Sequence, residues 1–246
     1  MSFDAMRKLT RRYHLQPRGV VHVGAHLGQE GPTYREIGAT NQLWVEPQPD
    51  VFEKLIANVP PSETVRHANV ACGAEEGRLS LNIIPKNDAG LSSFLKPSPT
   101  LGQLPETAVV DTVEVEVVRL DDLIAREGID PGLHNLLVLD TQGFELEVLK
   151  GAPDFLRDHA DYVFTEVSRR PLYENSCLEA DIDAHLKPFG FERVYTRLSL
   201  ADHGDALYIK SDRIDPFHKL RLAVMGPKVR RSRKRHDRAL ASNIWR

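Results

Sequence analysis

Runs of consecutive apolar residues recur along the chain, and segments with helical spacing separate them. GVVHVG (19–24), NLLVLD (135–140) and DYVFTEV (161–167) carry apolar side chains at successive positions, as strands buried on both faces do. LWVEP (43–47) is a shorter strand stopped by Pro47. GPTYREIG (31–38), DVFEKLIANV (50–59), DDLIAREG (121–128), GFELEVLKGA (143–152) and LEADIDAHLKPFG (178–190) predict helices, with Asp50 as an N-cap and glycine closing several of them. TVRHANVACG (64–73) and RLSLNII (78–84) read as two strands joined by the turn AEEG, and DTVEVEVVRL (111–120) alternates like a half-exposed strand. FERVYTR (191–197) and DALYIK (205–210) form a terminal strand pair. Residues 3–14 have helical spacing, with Met6 and Leu9 or Tyr13 on one side and basic residues on the other.

Strands that alternate with helices and are apolar throughout call for an α/β fold, a mostly parallel sheet with helices on both faces. The chain divides into a basic N-terminal helix (1–17), an α/β domain (18–212) and a basic C-terminal tail (213–246), flexible beyond Pro227. Residues Pro85 to Thr107, rich in Pro, Ser, Gly and Lys, predict a long loop of the kind that serves as a lid or binding segment.

Composition sharpens one point. A hydrophobic fraction of 41% and a charged fraction of 27% are ordinary for a globular protein, and the net charge of -3 singles out no partner. The tail is different: Lys228, Arg230, Arg231, Arg233, Lys234, Arg235, Arg238 and Arg246 face Asp237 alone. It is a candidate for contact with an anionic membrane or a phosphorylated polymer, whereas nothing points to a specific nucleic acid. Cys72 and Cys177, with no CxxC pairing, argue against a disulfide framework or a zinc site. The N-terminus lacks the apolar stretch of a signal peptide and no run approaches 18 apolar residues, so a cytoplasmic protein is expected.

In open α/β sheets ligands bind beyond the carboxyl ends of the strands. In VVHVGAHLGQE (20–30), Gly24 and Gly28 would let the backbone pass close to a ligand, though their G-x-x-x-G spacing is not that of dinucleotide dehydrogenases. Glu46, 22 residues after Gly24, ends the second strand, where a carboxylate can accept hydrogen bonds from both ribose hydroxyls. Asp140 and Glu166 end two further strands on the same edge, where an acid can orient or deprotonate a substrate hydroxyl. The plainer alternatives are an ordinary strand-to-helix turn, a solvated acid at Glu46, and an Asp140 that caps the helix after it. His22 lies in the strand and His26 in the turn; neither has metal-ligand spacing with a third group, and no metal is expected.

Four segments together resemble the FkbM family of methyltransferases: VVHVGAHLGQE (20–30), WVEPQPDVFEKL (44–55), LLVLDTQGFELEVLKGA (136–152) and FTEVSRRPLYE (164–174), with support from NVACGAEEG, LSSF and VVRLDDLI. The resemblance implies a Rossmann-like class I methyltransferase fold, with a seven-stranded sheet whose last strand is antiparallel, and S-adenosylmethionine as cofactor. It implies that Gly24, Ala25 and Gly28 surround the methionine part of that cofactor, with His22 and His26 in the same motif. By the same resemblance Glu46 binds the ribose, Asn69 and Val70 lie near the adenine, and Asp140 with Glu166 faces the transfer centre. His26 is the alternate base. Two positions depart from the family pattern: His22 stands where an Asp is usual and His26 where an Asn is usual.

The implied activity is O-methylation of a sugar, glycan or natural-product hydroxyl. Residues 85–107 and 168–177 are the segments expected to contact that acceptor; Arg169 and Arg170 could engage a phosphate or carboxylate on it, the plainer alternative being solvated surface charges. Two rivals are a nicotinamide-dependent oxidoreductase, which would need the missing G-x-G-x-x-G and a Tyr-x-x-x-Lys set, and a small-molecule or glycan-binding relative without turnover.

Overall fold

Every fully apolar run becomes a strand of one sheet. The computed structural model describes residues 3–84, 90–99, 108–199 and 202–231. In chain order the elements are α1 (Phe3–Tyr13), β1 (Gly19–Val23), α2 (Gly31–Glu36), β2 (Asn41–Val45), α3 (Pro49–Asn58), β3 (Val65–Ala68), β4 (Ala71–Cys72), β5 (Gly77–Ile83) and β6 (Asp111–Val118). They continue with α4 (Leu120–Arg126), β7 (Leu136–Leu139), α5 (Glu145–Lys150), α6 (Pro153–Asp158), β8 (Tyr162–Ser168), α7 (Glu179–Leu186), β9 (Phe191–Leu198), β10 (His203–Lys210), α8 (Pro216–Met225) and β11 (Lys228–Arg231).

The main sheet has the order β11-β9-β10-β8-β7-β1-β2-β3. All its neighbours pair in parallel except β10, which runs antiparallel between β8 and β9. Successive side chains of a strand point to opposite faces. Val21, Leu43 and Leu137 accordingly enter one buried cluster, while Val20, Trp44 and Val138 enter the other. α1 adds Met6, Leu9 and Tyr13 to the second cluster, and the Tyr13 hydroxyl donates to the Val194 carbonyl at 3.0 Å.

The sheet has eight strands, not the expected seven. The eighth is β11, which pairs Lys228–Arg231 with Tyr195–Leu198 of β9. Charged side chains suit an edge strand, where they discourage further pairing, so a basic segment is compatible with a strand there. The chain is thus structured past Pro227, as β11; residues 232–246 of the predicted tail lie outside the described residues.

A second departure is the small sheet β4-β6-β5. The run 64–73 is two strands in two sheets, because the chain leaves the main sheet at Asn69, whose Nδ2 donates to the carbonyls of Glu46 (2.8 Å) and Pro47 (3.2 Å). At α3 the N-cap is Gln48 with Pro49 following, and Asp50 lies inside the first turn instead of capping it. α6, unforeseen in the sequence, is capped from a distance: the Asp121 carboxylate accepts from the amides of Asp154 (2.9 Å) and Phe155 (3.0 Å).

His22 points into the second cluster, not the ligand edge. Its ring lies 5.8 Å from that of Tyr34 and 5.3 Å from that of Trp44, and its Nδ1 is 3.1 Å from the Tyr34 hydroxyl. Nε2 has no partner, and burial lowers the imidazole pKa to about 3. A folded-state value below the unfolded one of about 6.5 means that the unfolded chain binds the extra proton. Stability is therefore lost as pH falls from about 6.5 toward 3. His22→Leu is expected to lose about 1 kcal/mol at pH 7, for the Tyr34 hydroxyl left unpaired. It should also flatten the fall in Tm between pH 6.5 and 4, as followed by circular dichroism.

Candidate active site

β1 lies between β2 and β7, so the chain reverses its direction of travel across the sheet at this strand. The carboxyl ends of β1 and β7 meet there, and the approach is close. Gly24 has φ +79°, and a Cβ on it would stand 2.1 Å from the Asp140 carbonyl oxygen. A cavity of about 310 Å³ opens above this junction, within the range of small-ligand sites. Gly24, Ala25, His26, Glu46 and Asp140 all line it.

Glu46 is buried and faces the bend after β1. Its Oε2 accepts from the His26 amide (2.8 Å) and its Oε1 from the Gln48 amide (3.0 Å). Burial raises its pKa, and the two amides oppose that rise. Each oxygen keeps a lone pair for a further donor. His26 takes φ +48°, and its Nδ1 lies 3.2 Å from Gln29 Nε2.

Four predicted contacts fall elsewhere. His22 is in the core as described. A Cβ on Gly28 would meet Val59 and Leu55 at 2.6 and 2.7 Å, so this glycine lets α3 pack against the bend and does not line the cavity. Asn69 ties the 46–47 turn, and Val70 belongs to the core; the next two residues, Ala71 and Cys72, line the cavity in their place.

Glu166 sits one layer behind the cavity. Gln142, at φ +54°, donates from Nε2 to Asp140 Oδ1 (2.8 Å) and to Glu166 Oε2 (2.9 Å). His203 Nε2 lies 3.3 Å from Glu166 Oε1. Burial opposes charge on all three, but the ion pair wins for two of them. The pKa of His203 rises to about 9, and Glu166 falls below the usual carboxylate range. Burial and the neighbouring Glu166 charge push Asp140 well up. The network is a protonated imidazole, an ionised Glu166, and an Asp140 that holds its proton unusually tightly.

Sequence reasoning missed several participants. His203 lies on β10, across from Ser168, and only antiparallel pairing brings it to Glu166. Gln142 is held by Ser93 Oγ, which donates to its carbonyl (2.8 Å), and by the Tyr173 hydroxyl, 3.1 Å from its Oε1. Residues 90–99 of the expected loop are thus bound to the 168–177 segment; 85–89 and 100–107 lie outside the described residues. Arg169 and Arg170, the expected anion clamp, pair instead with Glu179 (3.3 Å) and Asp202 (3.5 Å).

Glu30 is a further residue that sequence reasoning missed. It lines the cavity at the start of α2, is 7% exposed, and its Oε2 has no partner among the described residues. A buried carboxylate oxygen without a partner is costly unless a ligand cation meets it. The Thr141 hydroxyl, also on the cavity wall, is likewise unpartnered. The cavity therefore offers Glu30 to an ammonium, Glu46 to vicinal hydroxyls, and Val51, Ala71 and Leu81 to a flat apolar ring. This donor set fits a nucleoside joined to an amino acid.

The family model described as the methyltransferase FkbM domain matches residues 22–198. No curated protein matches the chain. The crystal structure of methyltransferase FkbM from Methylobacillus flagellatus is similar in fold over 78% of this chain, with 16% identity and a TM-score of 0.50. The similarity spans 43% of that longer protein. Magnesium protoporphyrin IX methyltransferase from Synechocystis with bound SAM covers 85% of this chain and 78% of its own, at 12% identity and a TM-score of 0.45. Aeropyrum pernix fibrillarin with S-adenosyl-L-methionine covers 78% and 66%, at 15% identity and 0.45.

The Gly24–Asp140 junction is directly testable. Gly24→Ala is expected to cost at least about 1–3 kcal/mol from backbone strain alone. The measurement is the loss of unfolding free energy in urea; an unchanged midpoint would mean that the junction is looser than described.

Proposed function

Because the chain belongs to the FkbM family of methyltransferases, we propose that it transfers a methyl group from S-adenosylmethionine to a hydroxyl oxygen of a sugar, glycan or natural product. The observation that carries this reading is the convergence of Glu46, the Gly24–His26 bend, Glu30 and Asp140 on one cavity. When bound there, S-adenosylmethionine supplies an electrophilic methyl group.

Glu46 would hold the ribose hydroxyls, already fixed in direction by the His26 and Gln48 amides. Glu30 would hold the ammonium of the methionine part. It supplies a carboxylate that the motif position at His22 lacks. Asp140 would take the proton of the acceptor hydroxyl as its oxygen forms the new bond. An aspartate with a raised pKa is a stronger base than an ordinary one, and Gln142 and Glu166 keep it oriented.

The Glu30 role separates two ligands. Glu30→Gln is expected to weaken S-adenosylmethionine by roughly tenfold or more, as for a lost charge-assisted hydrogen bond, and to leave 5′-methylthioadenosine, which has no ammonium, within about twofold. Calorimetry reads both; equal losses would refute the assignment.

Asp140 has its own signature. Asp140→Asn should lower the rate about 10²–10⁴-fold with cofactor affinity retained. Since the ionised form is the base and its pKa is raised, kcat/KM should climb with pH beyond the range where an ordinary carboxylate has already titrated. His203→Gln removes the cation that favours ionisation and should move this limb to higher pH. Turnover of labelled cofactor across a panel of hydroxyl acceptors provides the measurement, and a flat profile with an active Asp140→Asn variant would end the reading.

A further inference from the structure

A tyrosine that does not itself line the cavity joins two of its walls. Tyr173 follows β8 and is buried, clustered with Ile84, Leu91, Leu95 and Leu172. Main-chain bonds hold residues 90–99 along it: the Ser98 amide donates to the Leu172 carbonyl (2.9 Å) and the Glu174 amide to the Lys96 carbonyl (2.8 Å). From the same stretch Gly90, Ser92, Ser93 and Phe94 reach the cavity wall. The turn after β7 lies against the ring, where a Cβ on Gly143 (φ +96°) would stand 3.4 Å from Tyr173 Cδ2 and 3.3 Å from Leu95 Cδ1. Ring, segment and turn thus pack as one layer.

The Tyr173 hydroxyl has two acceptors and one proton. The Leu91 carbonyl lies 2.9 Å from it and Gln142 Oε1 lies 3.1 Å from it, so the two oxygens share a single donor. Burial and the carboxylates of Glu166, Glu145 and Asp140 raise the phenol pKa, which keeps that proton on the oxygen at neutral pH. The other end of the Gln142 amide serves the base, since its two hydrogens go to Asp140 Oδ1 and Glu166 Oε2. A donor on Oε1 polarises the amide and strengthens what Nε2 donates. It also opposes a flipped amide, whose oxygen would face two carboxylates. Burial, Glu166 of β8 and Glu30 beside α2 raise the Asp140 pKa, and the Gln142 hydrogen bond opposes that rise. His203 of β10 pairs with Glu166, and Glu46 and His26 share the cavity.

We infer that Tyr173 is a positioning residue: its one hydroxyl proton ties the Gln142 amide, and through it the Asp140 carboxylate, to residues 90–99 of the adjoining wall. This role rests on Asp140 as the base, yet its test needs no turnover. In protein labelled with carbon-13 at the aspartate carboxyl carbons, with Asp140→Asn to identify the resonance, NMR follows the Asp140 titration in the parent, Tyr173→Phe, Gln142→Gly and the double variant. Phenylalanine keeps the ring in its cluster, and glycine suits the φ of +54° at position 142. A hydrogen bond to the ionised form favours it, so weakening that bond moves the titration to higher pH. Tyr173→Phe is expected to lower the Asp140 ionisation constant about two- to tenfold, as for one net hydrogen bond. Added to Gln142→Gly, the same substitution should change it by less than about twofold, because the intervening amide is gone. In methyl transfer Tyr173→Phe should lower kcat by roughly tenfold for a misaligned base, with the cofactor Kd from calorimetry within about twofold. An unchanged Asp140 titration in Tyr173→Phe would overturn the inference. So would an equal shift in both backgrounds, which marks a general loosening of the layer. A titration that moves as expected with kcat unchanged would instead refute Asp140 as the base and leave the tie intact.

Discussion

At the centre of the molecule two strand ends come so close that one of them must lack a side chain. The carbonyl of Asp140 occupies the space where a Cβ on Gly24 would lie, at the carboxyl ends of two strands that pair in parallel. From this contact the rest follows. The bend that begins at Gly24 swings the His26 amide toward β2, where Glu46 captures it; the turn that begins at Asp140 carries Gln142 back to Glu166. The two halves of the cavity are thus set by a single backbone approach, and carboxylates from four elements are brought within one small volume.

That concentration of acids is electrostatically unfavourable, and the structure relieves it differently at each position. Glu46 is met by backbone amides, Glu145 accepts from the amides of Thr141 and Gly143, and Glu166 is paired with His203. At Asp140 burial and the Glu166 charge raise the pKa, so the carboxyl group gives up its proton less readily than an ordinary aspartate. Of these five, Glu30 has a buried oxygen that no group among the described residues satisfies. The distribution separates acids with structural duties from those left available to a ligand.

Much of this was legible in the sequence. Fully apolar runs such as LLVL at 136–139 announced parallel buried strands, and the glycine bend with a glutamate at the end of the second strand announced the ligand edge. Local pattern could not show where a side chain leaves its strand. His22 and Val23 are neighbours in one strand, yet the first faces an aromatic core, and Gly24, just beyond the second, lines the cavity. Nor could spacing reveal Glu30, which looked like one more polar residue at a helix start, or His203, whose partner is 37 positions away and meets it only through antiparallel pairing. Asn69 broke an apparently continuous strand by hydrogen-bonding the turn beside it. β11 escaped notice because a basic stretch reads as solvated until an edge is there to receive it.

The small sheet β4-β6-β5 contributes Ala71, Cys72 and Leu81 to the cavity, whereas the bend and the acids come from the main sheet. The two walls of the pocket therefore belong to separately hydrogen-bonded frameworks. Side chains on the smaller one can diversify, lengthen or shorten over generations without disturbing the register that aligns the carboxylates. A lineage built on this plan is free to reshape one wall of its binding pocket while inheriting the other intact.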